Sequence, residues 1–338
     1  MKRLRTAILG TGGFAHRHMR SLQQLQDEVE MVAFCNRTIE KAEAFSQQYT
    51  NGQAPVFSHH HQMFEQVPLD ALIICLPPFA HSDEVEMAAE RGTHVFIEKP
   101  IALTSEHGWR MVHAAEEAGI VTQVGFMNRF GEAIERLKGL INSGEAGEVG
   151  LMSARYFCNA LHAPWWRRRD LSGGQLVEQV IHMVDLLRFL MGEAVSVYSR
   201  QENLFHQDVE DYTVEDLSAT VFGFPHGGLG VIYATNGAIP GRWINDYRVV
   251  SRNLTVDFTD SNHATFHHTS QPDRPPEVIA SDRDIHLAEM QDFLNAIRTG
   301  GKTRTPLREG AKSLDLALAA TRSAETGGEL QLPQDHTS

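Results

Sequence analysis

From residue 6 to residue 126, short apolar runs alternate with longer amphipathic ones, the pattern of a parallel β-sheet with crossover helices. Strands are expected at 6–9, 30–35, 71–76, 94–97 and 121–126, and helices at 39–49, 82–91 and 105–118. Gly92 and Gly119 stand where left-handed caps would close the last two helices. After a helix expected at 131–143 the pattern changes. Residues 195–201, 212–224, 229–235 and 248–258 read as strands without intervening helices, hence as an antiparallel sheet. Two helices, 285–298 and 309–325, follow the proline-rich loop 270–276, and the pattern leaves open whether they pack beside that sheet or return to the first. The expectation is an α/β chain of two domains, a doubly wound parallel sheet over 1–127 and an α/β domain with an open, mainly antiparallel sheet over 128–338. A chain of 338 residues is long enough to bury two cores.

Forty-three acidic against 30 basic side chains leave a formal net charge of -13, which disfavours general attraction to nucleic acid. No segment approaches the roughly 18 uninterrupted apolar residues of a spanning helix. The apolar run after Met1-Lys2-Arg3-Leu4-Arg5 stops at Gly10, so no secretion signal is expected. Only Cys35, Cys75 and Cys158 occur, the first two inside apolar runs, which fits a reducing cytoplasm better than a disulfide framework.

Candidate chemistry clusters in three places. Gly10-Thr11-Gly12-Gly13-Phe14-Ala15 lies between the first strand and a helix, the layout of a dinucleotide-binding loop. Gly10 allows the tight turn, Gly12 lets backbone N–H groups approach a pyrophosphate, and Ala15 lets the helix sit close to its strand. Asn36, about twenty residues on, stands where an acid would bind the adenosine ribose. With no carboxylate there to repel a 2′-phosphate, and with Arg37 and Thr38 beside it, NADP is favoured over NAD. The second place is the carboxyl edge of the sheet, where Pro77, Pro78 and His81 follow one strand and Glu98-Lys99-Pro100 another, the latter setting an ammonium group beside the presumed cofactor. The third is the glycine entry Ser172-Gly173-Gly174-Gln175, followed by Glu178, His182 and Asp185, whose helical offsets of four and three would share one face and suit acid/base work. Trp165-Trp166 could line a ring-shaped substrate or plug the fold, and Arg167-Arg168-Arg169 could contact an anion or be solvated. Three consecutive histidines, His59-His60-His61, would project in different directions, so they are read as a surface loop and no metal is expected.

Together the GTGGFA turn, Glu98-Lys99-Pro100 and the segment SGGQLVEQVIHMVDLLRFL at 172–190 resemble the Gfo/Idh/MocA oxidoreductases. The resemblance implies a Rossmann domain joined to an α/β domain whose open sheet mediates homodimer or homotetramer contacts. It also implies hydride transfer between NAD or NADP and a hydroxyl or carbonyl of a sugar, inositol or related polyol, without a metal. By the same resemblance Lys99 contacts nicotinamide and substrate, His182 is the acid/base, and Glu178 stands where an aspartate is usual. Gly10, Gly12, Gly13, Phe14, Ala15, Asn36, Arg37, Pro77, His81, Glu98 and Lys99 would border the cofactor, and Lys99, Trp166, Arg167, Glu178 and His182 the substrate. Two other activities accompany this fold: glycoside hydrolysis that uses bound NAD without net oxidation, and non-catalytic dinucleotide sensing.

Overall fold

A computed structural model describes residues 2–333; residue 1 and residues 334–338, the outer ends of the two expected domains, lie outside it. The chain folds into two compact units, one comprising residues up to Met127 together with Asp284–Ala311, the other Asn128–Arg283 together with residues from Lys312 on.

In the first unit, strands β1 (Leu4–Leu9), β2 (Val29–Cys35), β3 (Val56–Phe57), β4 (Ala71–Ile74), β5 (His94–Ile97) and β6 (Thr122–Val124) alternate with helices α1 (Gly13–Gln24), α2 (Ile39–Thr50), α3 (His60–Gln66), α4 (Glu84–Glu90) and α5 (Ser105–Glu117). Among the described residues they form a six-stranded, all-parallel sheet in the order β3-β2-β1-β4-β5-β6. Strand order reverses between β1 and β4, so the loops leaving these two strands flank the topological switch point where doubly wound sheets take ligands. Ile8, Phe34, Ile73 and Phe96 are fully buried in this sheet. Gly92 and Gly119 do adopt left-handed geometry just past α4 and α5. The histidine run, expected as a loop, instead opens α3: His59 is its N-cap, with the ring accepting from the His61 N–H.

The second unit contains α6 (Glu132–Asn142), β7 (Val149–Phe157), a short α7 (Arg169–Ser172), a π-helical turn (Leu176–Val180) running directly into α8 (Ile181–Met191), then β8 (Ser196–Glu202), β9 (Leu217–Gly223), β10 (Leu229–Thr235), β11 (Tyr247–Ser251), β12 (Leu254–Phe258), β13 (His263–His268) and β14 (Glu277–Ala280). With β15 (Leu330–Gln331), they make a nine-stranded sheet among the described residues, ordered β14-β13-β12-β11-β7-β10-β9-β8-β15. Every neighbouring pair is antiparallel except β7 with β10. One face carries Met152, Ala154, Phe222, Ile232 and Val249 into a core shared with Val184 and Leu187 of α8. The single strand expected at 248–258 is a hairpin, because the Ser251 hydroxyl bonds with Leu254 and folds the chain back through Arg252-Asn253, setting Val249 opposite Val256. The strand expected at 212–224 begins only at Leu217, since the Asp216 carboxylate accepts backbone N–H groups from Leu204, Phe205 and His206 and holds the preceding stretch as a loop.

Of the two closing helices, α9 (Ile285–Thr299) joins the first unit, where Met290, Phe293 and Leu294 enter the core around Ile8 and Phe96. The segment after it lines the β6 edge, with Val124 N–H donating to Thr305 O at 2.7 Å and the Thr303 hydroxyl to Thr122 O at 2.6 Å. The backbone groups of that edge strand are thereby paired. Leu316 and Ala320 of α10 (Leu307–Thr326) enter the second core.

Candidate functional site

At the end of β1 the chain must turn where three strand ends crowd together. The Gly10 N–H donates to Cys35 O at 2.8 Å, its φ is +90°, and a Cβ there would lie 2.4 Å from the Cys75 carbonyl oxygen, so only glycine fits. Gly12 and Gly13 face open space, with nothing within 4 Å of where a Cβ would stand. Helix α1 starts at this point with no side chain capping it, and Ala15 is fully buried beneath. An uncapped 12-residue helix behind an open glycine turn presents unpaired N–H groups and a positive dipole end, which fits a pyrophosphate. Phe14 is exposed above the turn, its ring meeting His18 and His286 edge-on.

Asn36 follows β2 and ties two loops together. Its Nδ2 donates to the Thr11 hydroxyl at 2.8 Å and its Oδ1 accepts the Thr38 N–H at 2.9 Å, while Arg37 next to it is exposed. Beyond β4, Pro77 leads into a 3-10 turn at Pro78–Ala80. The His81 ring, expected at the cofactor, is buried, and its Nδ1 is paired with Glu84 Oε1 at 2.6 Å. Burial opposes ionisation of Glu84, but the His81 hydrogen bond, the His81 charge and the backbone N–H groups of Ser82 and Glu84 together outweigh it and hold the carboxyl at about 2.

Lys99, half-buried, and Pro100 leave the carboxyl end of β5, beside the same edge. The carboxylate of Glu98, another residue expected at the cofactor, is turned inward: His18 Nε2 lies 2.6 Å from its Oε1, and a Cβ at Gly125 would stand 2.7 Å from that oxygen. Behind it sits a second buried carboxyl, Glu289 of α9, whose pKa is pushed well up by burial and then by the charge of Glu98. His286, whose Nδ1 is 3.2 Å from Glu289 Oε1, is drawn down to about 4 by burial. Thus Lys99 projects from a strand end whose adjoining residue is locked in a dry polar network of His18, Glu98, Glu289 and His286.

In the second unit, Gly173 and Gly174 adopt positive φ, and a Cβ on Gly174 would strike the buried Glu215 carboxylate, which also accepts the Leu176 N–H at 2.6 Å. This anchors the start of the π-helical turn. The wider turn means that offsets of three and four do not carry a single face from Glu178 to Asp185. Glu178 lies within it and accepts from the Trp166 indole N–H at 2.8 Å. His182, on the first turn of α8, is buried at 6% exposure. Asp185 is turned to another partner, the Arg129 guanidinium, in a buried two-pronged pair of 2.6 and 2.8 Å, with the Ser313 hydroxyl at 3.1 Å. Trp166 is buried, and Arg167 is spent on the carbonyls of Leu161 and His162, so neither extends as a free substrate arm.

The same neighbourhood holds polar groups that pattern reasoning passed over. His162 packs on Trp166 with ring centroids 4.3 Å apart, its Nε2 is 3.0 Å from Gln179 Nε2, and burial draws its pKa down. Cys158 Sγ lies 3.1 Å from Asn236 Oδ1, and burial pushes its thiol up to about 12. Gln175 and Gln179, four apart, were the available sequence signal.

A reversing parallel sheet with an open glycine turn at its switch point defines the first unit as a nucleotide-binding Rossmann unit. The chain belongs to the Gfo/Idh/MocA family: the family's NAD-binding Rossmann oxidoreductase model matches residues 4–126 and its C-terminal domain model residues 134–259. Over 97% of its length it is 27% identical to a D-glucoside 3-dehydrogenase of Escherichia coli, covering 97% of that protein, and 27% identical to an NAD(+)-dependent scyllo-inositol 2-dehydrogenase of Bacillus subtilis, covering 96%. A Bordetella pertussis WlbA dehydrogenase solved with NADH and UDP-GlcNAcA matches 99% of this chain and 100% of its own at 27% identity, with a TM-score of 0.85. A levoglucosan dehydrogenase solved with NADH and L-sorbose shares the fold, with a TM-score of 0.90 at 19% identity over 99% of this chain and all of that one. The chain is therefore an oxidoreductase built on an NAD-binding Rossmann fold.

Proposed function

We propose that this protein interconverts a hydroxyl and a carbonyl on a sugar, inositol or related polyol, with Lys99 and His182 at the reacting oxygen. The observation that supports this most is the likeness, along nearly the whole chain, to relatives named as glucoside and inositol dehydrogenases. A nicotinamide dinucleotide, when bound, supplies the hydride acceptor or donor. The backbone of Gly10, Gly12 and Gly13 and the N-terminus of α1 would hold its pyrophosphate. Asn36 and exposed Arg37 offer a neutral amide and a guanidinium where a carboxylate would exclude a 2′-phosphate, so the chain accepts NADP and prefers it to NAD.

Lys99 donates a hydrogen bond to the substrate oxygen and stabilises negative charge there. His182 takes up or returns the hydroxyl proton. Glu178, held by Trp166, receives a substrate hydroxyl or orients the imidazole. Trp166 and Arg167 act on substrate indirectly, the first by fixing Glu178 and the second by fixing the loop at 161–162. The three free thiols suit a reducing cytoplasm, and the outward face of the nine-stranded sheet, with Leu151, Val221, Leu229 and Tyr233 exposed, suits assembly into a homodimer or homotetramer.

The test is a panel of sugars, inositols and polyols offered with NAD and with NADP, read as reduced nicotinamide. Turnover on at least one cyclic polyol or sugar, with higher kcat/KM for NADP, is expected. Binding of either dinucleotide without net reduction on any member of the panel would contradict the assignment.

A further inference from the structure

The histidine run and the N-cap of α4, two residues past His81, come together. His60 Nε2 stands 2.8 Å from Asp83 Oδ1, and His61 Nε2 stands 2.9 Å from Asp83 Oδ2. These donor atoms all lie within 4.8 Å of one another. Two adjacent imidazoles, one nearly buried and one half-exposed, thus aim the same ring nitrogen at one carboxylate. Asp83 occupies the N-cap position of α4, where an aspartate ordinarily accepts the helix's own N–H groups, yet its side chain makes no capping bond. The carboxylate is given over to the histidines instead.

We propose that His60, His61 and Asp83 form a binding site for a borderline divalent transition metal such as Zn2+, joining the start of α3 to the start of α4. Tetrahedral zinc bonds of about 2.0–2.2 Å set ligand atoms roughly 3.3 Å apart, so a small widening of the present contacts admits the ion. Two imidazoles and one carboxylate suit Zn2+, Co2+ or Ni2+ and not Mg2+ or Ca2+, which favour all-oxygen shells. The half-exposed carboxylate and His61 leave the remaining coordination positions to water. His59 is stacked on His60, and its Nδ1 accepts the His61 N–H, so it supports the geometry without joining the set.

The experiment titrates Zn2+ into tag-free, EDTA-treated protein by calorimetry and records the visible spectrum with Co2+ as a second readout. One ion per chain is expected, with the Co2+ bands of a four-coordinate site. His61→Ala and Asp83→Asn should each weaken binding at least tenfold and remove those bands, while His59→Ala should retain them. Melting in EDTA establishes that each variant is folded, and His60→Ala replaces any that is not. No saturable binding by the wild-type chain, or equal affinity in the folded His61→Ala and Asp83→Asn variants, overturns the proposal.

Discussion

At the scale of single residues, the sequence puts Glu178, His182 and Asp185 forward as one acid/base group, and the structure pairs Asp185 with Arg129 and Glu178 with Trp166. Asp185 is the buried counter-charge of Arg129, so Asp185→Asn leaves a guanidinium uncompensated in the core and should cost about 3–5 kcal/mol of stability, measured by urea unfolding. His182→Ala should instead lower kcat by roughly 100- to 10,000-fold, the usual span of general-base help, with dinucleotide affinity nearly unchanged. Opposite results for the two variants would exchange their roles. Arg37→Ala should weaken NADP more than NAD in parallel fluorescence titrations, and equal losses would remove the phosphate contact. The contacts of Asp185 and Glu98 could not be read from the chain. Their partners lie 56 and 80 positions away, and a charged side chain on an apolar element looks the same in sequence whether it serves a ligand or a buried counter-charge.

At the scale of elements, the parallel half was legible because five of its six described strands are short apolar runs bounded by glycine, proline or a helical period, and such signals are local. The antiparallel half was legible as strands but not as boundaries. β11 and β12 merged into one reading because the Arg252-Asn253 turn lacks a glycine or proline, and Tyr212–Asp216 was counted as strand because its apolar alternation hides a carboxylate that organises the loop. The short strands β3 and β15 left no periodic trace, and the destination of α9 stayed open because its apolar face suits either core. The π-helical turn was invisible for a different reason: it depends on Glu215, 39 positions past the Leu176 N–H that it holds. Gly174→Ala probes this directly. With φ at +99° and a Cβ 2.5 Å from the Glu215 carboxylate, the substitution should displace Glu178 and reduce kcat while leaving the Rossmann unit's dinucleotide affinity intact. Unchanged turnover would show that the turn does not position Glu178.

At the scale of the whole molecule, the buried network beneath Lys99 makes stability depend on pH. Glu289 holds its proton in the folded chain well above the ordinary carboxyl range, whereas the unfolded chain releases it near pH 4.3. Above that pH the folded state binds the extra proton, so this group's contribution to stability is full below it and declines as pH rises, by up to about 1.4 kcal/mol per unit, until the folded carboxyl ionises. Glu289→Gln should flatten that decline relative to wild type in unfolding curves taken across pH 5 to 8. A parallel offset at every pH would deny the buried proton. The outward sheet face carries a separate prediction: Val221→Lys with Tyr233→Lys should lower the mass read by light scattering from that of the proposed homodimer or homotetramer to a monomer, and an unchanged mass would contradict assembly through this face. We propose, as the central claim, that Lys99 and His182 act on one substrate oxygen. Its most direct test is a double-mutant cycle on kcat with Lys99→Met and His182→Ala, using the best substrate of the polyol panel. The account predicts that the double variant is barely slower than the worse single one, and fully multiplicative losses would contradict it.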